Sequence, residues 1–167
     1  MRLSLPYLLM LIGVGCHTTA YLPPQQPIPD DTLITIKRSI CYGTCPDYTV
    51  TIAADGTVTF EGREFVKTKG VAKATITREA LRQLIEAFEN SKYFSLNDSY
   101  RTKKDGCPEV WTDADTVTTS IRINGKTKSI SHYHGCEDDQ GRSTYPKGLT
   151  QLEDQIDKIA GTKQWIE

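Results

Sequence analysis

The sequence has no apolar run approaching the roughly 20 residues that a membrane-spanning helix needs. Its longest, Leu3 to Val14, is diluted by Ser4, Pro6, Tyr7 and Gly13, and behind Met1-Arg2 it has the pattern of a signal peptide. An excess of either charge is missing too, with 20 Lys and Arg against 21 Asp and Glu. Removing the signal takes away only Arg2, so nothing electrostatic points to nucleic acid or an anionic bilayer as a partner. There is no internal repeat, no Gly-x-Ser-x-Gly elbow, no His-Glu-x-x-His helix and no glycine-rich phosphate loop. Asp113 and Asp115 form a pair of acids at a spacing common in solvated loops. The expectation from these absences is a chain that is not an enzyme and carries no cofactor. Roughly 135 residues follow Asp31, which suits one domain and leaves no room for a separate catalytic one.

What is present starts with cysteine, at five positions. Gly13-Val14-Gly15-Cys16 resembles the lipobox of bacterial lipoproteins, although Gly13 stands where a bulky aliphatic residue is usual. That resemblance implies a signal peptide over 1–15, a lipidated Cys16 and a Thr/Pro/Gln-rich tether over 16–31, ahead of a single domain over 32–167. It places the chain in the bacterial cell envelope, anchored to the outer membrane and facing the periplasm, with secretion as the alternative. The lipid would be its only contact with the bilayer. Four cysteines remain: Cys41, Cys45, Cys107 and Cys136. An oxidising compartment favours disulfides among them, with three pairings open. If Cys41 pairs with Cys45, the Cys107–Cys136 bridge clamps a long loop to the end of a hairpin. Cys41 and Cys45 enclose three residues, not the two of a thioredoxin-like site, and the runs around them read as strands.

Leu33 to Ile40 is β-branched and loosely alternating, as is Tyr48 to Ile52. For the reversal at Ala54-Asp55-Gly56, a three-residue loop sets Ile52 against Val58 and Val50 against Phe60. The return strand runs from Thr57 to about Phe65 or Lys67, with Gly62 marking a bulge or bend. Val71 to Ile76 reads as an extended approach to a helix over Arg78 to Glu89, capped by Thr77. Arg101 to Asp115 reads as a long loop. Asn124-Gly125 is the strongest hairpin signal, and its two-residue loop sets Val117 against His132, Thr119 against Ile130 and Ile121 against Lys128. The Thr/Ser-rich outer face of that hairpin is either ordinary solvated sheet or a surface that receives a protein or a polysaccharide. Thr150-Gln-Leu-Glu153 matches a capping box for a last helix over Gln151 to Ala160. The expected fold is α+β, a mainly antiparallel sheet of about five strands with two helices packed on one face.

Cys41-Tyr-Gly-Thr-Cys-Pro-Asp-Tyr48, Asp55-Gly-Thr-Val58, Asn124-Gly-Lys126, His132-Tyr-His-Gly135 and Ile159-Ala-Gly-Thr-Lys163 with Trp165 occur in this order. Together they resemble the bacterial domain-of-unknown-function family 6438, from about Leu33 to Trp165. The resemblance implies one exported or lipid-tethered domain and supplies no activity or catalytic residue.

His132, His134 and Cys136 alternate along one strand, so their side chains point the same way. With Asp113 from the neighbouring strand they form a candidate zinc or copper set. Against it, the same face carries Val117, Ile121 and Ile130, and Cys136 has a disulfide partner within reach; the histidines then serve packing, or line a small-ligand pocket. The leading expectation is a noncatalytic envelope lipoprotein domain that binds an unidentified protein or ligand. The alternatives are a small metal- or thiol-dependent enzyme and a purely structural envelope module.

Overall fold

A computed structural model describes residues 27–138 and 140–167. The signal peptide over 1–15, the lipidated Cys16 and most of the tether lie outside the described residues. β1 (Leu33–Arg38), β2 (Asp47–Ala53), β3 (Thr57–Glu64) and β4 (Gly70–Thr75) lead to α1 (Arg78–Asn90). Then come β5 (Ser99–Tyr100), β6 (Glu109–Val110), β7 (Thr116–Ile123), β8 (Lys126–Tyr133) and β9 (Cys136–Glu137), followed by α2 (Lys147–Ala160) and α3 (Lys163–Ile166). The domain is α+β. The count of about five strands and two helices is corrected to nine strands in two sheets and three helices among the described residues.

The main sheet runs β4-β3-β2-β1-β7-β8-β5, and β6 pairs with β9 in a second, two-stranded sheet. β1 is the axis, antiparallel to β2 on one side and to β7 on the other. Both hairpin registers follow from side-chain parity: Val50 opposes Phe60, and Val117 opposes His132. A slip by one residue would turn every apolar side chain outward. The extra strands arise where local pattern is weak. β4 is a short, largely exposed edge strand carrying Lys73, and the pairing of Ala72 and Ala74 with β3 makes it a strand. β5, β6 and β9 are two residues each, set by tertiary contact.

Gly62 sits at the bulge where Asp47 and Tyr48 shift register. A Cβ there would lie 2.1 Å from the Thr68 carbonyl oxygen, so the chain folds back over this point only because the side chain is missing.

Ile34, Ile36, Val50, Ile52, Val58 and Phe60 fill one face of the sheet. α1 covers it with Leu81, Leu84 and Phe88, and the Thr77 hydroxyl accepts from the Ala80 amide at 3.1 Å. α2 adds Leu149, Leu152 and Ile156, and ends at Gly161 in the left-handed region, φ +70°. α2 begins at Lys147, one turn earlier than the Thr150 capping box predicts, so Glu153 lies inside the helix and not at its cap. α3 brings Trp165 onto Phe60, ring centroids 4.9 Å apart. Cys41 bonds Cys45 and Cys107 bonds Cys136, the first bridge on the surface and the second fully buried.

At the opposite end from these loops, Asp31 grips the β7–β8 turn. Its two carboxylate oxygens accept from the Asn124 and Gly125 amides at 2.9 and 2.7 Å.

Candidate metal centre

His132 is the last inward-facing residue of β8, and His134 follows just beyond the strand. Because the register sets Val117 opposite His132, the imidazole enters the core where β7 and α2 converge. There it meets Glu153, projected from the buried stripe of α2. His132 Nδ1 lies 2.8 Å from Glu153 Oε1, and His134 Nε2 lies 3.3 Å from Glu153 Oε2. His134 Nδ1 lies 2.8 Å from Asp115 Oδ1. His132 and Glu153 are buried, with side chains 0% and 1% exposed, while His134 retains 25%. The Tyr145 ring closes over His132, centroids 3.8 Å apart.

The electrostatics follow from this chain of acids and bases. Burial opposes charge on His134, but hydrogen bonds to Asp115 and Glu153 outweigh it and raise its pKa to about 9. Burial likewise pushes the Glu153 carboxyl up, and the bonds from His132 and His134 overcome it, holding the group below its ordinary value. Asp115 is lowered in the same way, burial being outweighed by His134.

One donor atom from each of His132, His134 and Glu153 lies within 4.8 Å of the others, a mixed nitrogen and oxygen set of the kind that zinc and neighbouring transition metals take. In each imidazole Nδ1 faces a carboxylate. For His134 the carboxylate on Nδ1 is Asp115, which fixes the ring and its tautomer and leaves Nε2, 3.3 Å from Glu153, as donor, whereas Glu153 beside His132 is itself one of the three ligand-type groups. His132 Nε2 is buried and has no hydrogen-bond partner among the described residues, an unmet polar group in the core beside the cluster. Beyond Asp115 opens a cavity of about 450 Å³, lined also by Arg38, Tyr48, Asp154, Asp157 and Lys163.

Of the ligand set read from the sequence, His132 and His134 meet here. Cys136 is consumed by Cys107, and Asp113 is an exposed loop residue whose carbonyl accepts from the Tyr42 amide. Asp115 and Glu153 stand with the histidines instead. Glu153 was hidden by the capping-box pattern, yet a signal for it exists: it falls four residues after Leu149 and three before Ile156, on the apolar stripe where a lone carboxylate needs a partner. A buried His/His/Glu cluster of this kind corrects the expectation of a noncatalytic binding domain, because it gathers ligand-type groups that packing alone does not require.

The family described as domain of unknown function 6438 matches residues 32–160. A comparison with curated proteins finds no match.

Proposed function

We propose a function from the geometry of the chain itself, because the chain belongs to the family of domain of unknown function 6438, whose description assigns no chemistry. The domain binds a transition metal ion through His132, His134 and Glu153 and is a small metal-dependent enzyme. The convergence of three ligand-type side chains, two of them wholly buried, carries this reading. Asp115 orients His134, and the Tyr145 ring keeps water from His132. A bound ion with three protein ligands and an open position supplies Lewis-acid chemistry and an activated water. The partly exposed His134 is the side from which a substrate would approach, through the cavity that Asp115 and Arg38 line. The thiol-dependent alternative loses its reagent, since Cys41, Cys45, Cys107 and Cys136 all stand in disulfides.

Export to the envelope, with a lipid on Cys16, belongs to the same proposal. Two disulfides support an oxidising compartment. Among the described residues no helix is long and apolar enough to cross a membrane.

Titration of the metal-depleted full chain with Zn(II) or Co(II) tests the metal site. One ion per chain is expected, with Co(II) absorption in the visible. Glu153→Gln and His134→Ala should abolish uptake, and Asp115→Asn should weaken it on the order of 10- to 100-fold. Uptake that survives Glu153→Gln, or no uptake at all, would overturn the assignment. Chelator-sensitive hydrolysis of ester or phosphoester probes then tests the enzymatic part.

A further inference from the structure

Ser39 to Pro46 link β1 to β2, and those strands pair without interruption from Leu33 with Ala53 to Arg38 with Tyr48, where the loop begins. Cys41–Cys45 closes this loop over a sequence separation of 4, yet none of the loop's apolar side chains joins the core, and Ile40 and Tyr42 are 56% and 88% exposed. The bridge therefore neither zips the hairpin nor shelters a packed side chain. Cys107 and Cys136, by contrast, are both 0% exposed. A Cβ at Gly43 would stand 3.8 Å from Cys41 Sγ, so the missing side chain leaves that sulfur uncovered.

What the loop does hold is the segment that carries Asp115. The Tyr42 amide donates to the Asp113 carbonyl at 3.1 Å, the Ser39 amide to the Thr116 carbonyl at 3.0 Å, and the Thr116 amide to the Ser39 hydroxyl at 3.0 Å. Asp115 lies between these ties, and its carboxylate is the partner of His134 Nδ1. Cys45 and Pro46 line the same cavity as Asp115. Asp113 is held at φ +77°, an uncommon conformation outside glycine that persists only while its surroundings restrain it.

We propose that Cys41–Cys45 is a reversible redox switch that sets how firmly Asp115 holds His134 and so regulates the metal centre. The regulatory consequence rests on the metal-binding reading, whereas the switch itself does not. The reductant is a dithiol. One of its thiolates attacks Cys41 Sγ past Gly43, the S–S bond breaks, and Cys45 leaves as a thiolate that takes up a proton. The second thiol then displaces Cys41 from the mixed disulfide. Two electrons and two protons pass to the cysteines, and the dithiol becomes a disulfide. The sulfurs of Cys107 and Cys136 are out of reach of that attack, so the buried bridge persists. Once the ring is open, the Tyr42 amide is free to leave Asp113, and Asp115 loses one side of its mounting.

The test treats the metal-free full chain with a phosphine reductant, blocks the freed thiols with iodoacetamide, removes both reagents and maps the alkylated cysteines by mass spectrometry. Alkylation of Cys41 and Cys45 with Cys107–Cys136 intact is expected. In the blocked chain, and in the Cys41→Ser with Cys45→Ser variant that carries no added group, the NMR titration midpoint of the His134 imidazole should fall from about 9 toward 6.5. Zn(II) should bind both at least about threefold more weakly than it binds the intact chain. If the intact chain takes up no Zn(II), the metal-binding reading falls, and the His134 midpoint still decides the switch. Opening of both bridges together, an unaltered His134 midpoint in the serine variant, Zn(II) affinity there equal to that of a zinc-binding intact chain, or loss of cooperative unfolding in both opened forms would overturn the proposal.

Discussion

Glu153 serves two imidazoles with one carboxylate, and this sharing sets the pH response of the metal-free chain. His134 has its pKa raised from 6.5 to about 9, so its contribution to stability is complete below 6.5 and is lost as pH climbs through about 9. Asp115 and Glu153 are held low, so theirs is present above the ordinary carboxylate range and is lost as pH falls through their depressed values. Urea midpoints of the metal-depleted protein should therefore peak between about pH 5 and pH 6.5 and decline on both sides. Glu153→Gln leaves a buried pair half unmade. It should lower stability by about 3 kcal/mol at neutral pH, read from the same denaturation curves, and should flatten the alkaline decline. Metal and proton compete for the imidazoles, so the apparent affinity for Zn(II) should rise with pH up to about 9.

At the scale of elements, hairpins and bridges divide the work. The buried Cys107–Cys136 bridge spans a sequence separation of 29, and the surface Cys41–Cys45 bridge only 4. By loop-closure entropy alone, Cys107→Ala with Cys136→Ala should cost about 3.5 kcal/mol and Cys41→Ala with Cys45→Ala about 2 kcal/mol, an ordering that urea denaturation of the two double variants checks. Gly62→Ala forces a methyl onto the Thr68 carbonyl and should cost about 3 kcal/mol, visible as a lowered Tm. The elements legible in the sequence were those that carry their own turn chemistry. Asp55-Gly56 and Asn124-Gly125 specify their hairpins, and Leu81, Leu84 and Phe88 recur at helical spacing. β5, β6 and β9 were not legible, because their pairing depends on partners far along the chain, and β4, although it pairs with its neighbour β3, read only as an extended approach to the helix because its face is largely exposed. The candidate site was half legible for the same reason. His132 and His134 show the alternation of a strand, whereas Glu153 arrives from a helix 19 residues beyond His134 and wore the pattern of a cap.

Across the whole molecule, one sheet separates two kinds of surface. Its inner face holds the core and the acid–imidazole cluster, and its outer face is threaded with hydroxyls whose repeat is the strand spacing itself. Substitutions on the outer row should leave Zn(II) uptake unchanged, since the sheet lies between them, and calorimetric titration of the Thr51→Val chain checks this independence. The chain enters beside the Asn124-Gly125 turn, and β1 then carries it six residues toward the end where His134 and Asp115 lie. At about 3.3 Å per residue, that strand is a spacer of roughly 20 Å. An attachment at the leading end would consequently hold the end with the two histidines outward from whatever surface it joined, like a lamp on a bracket.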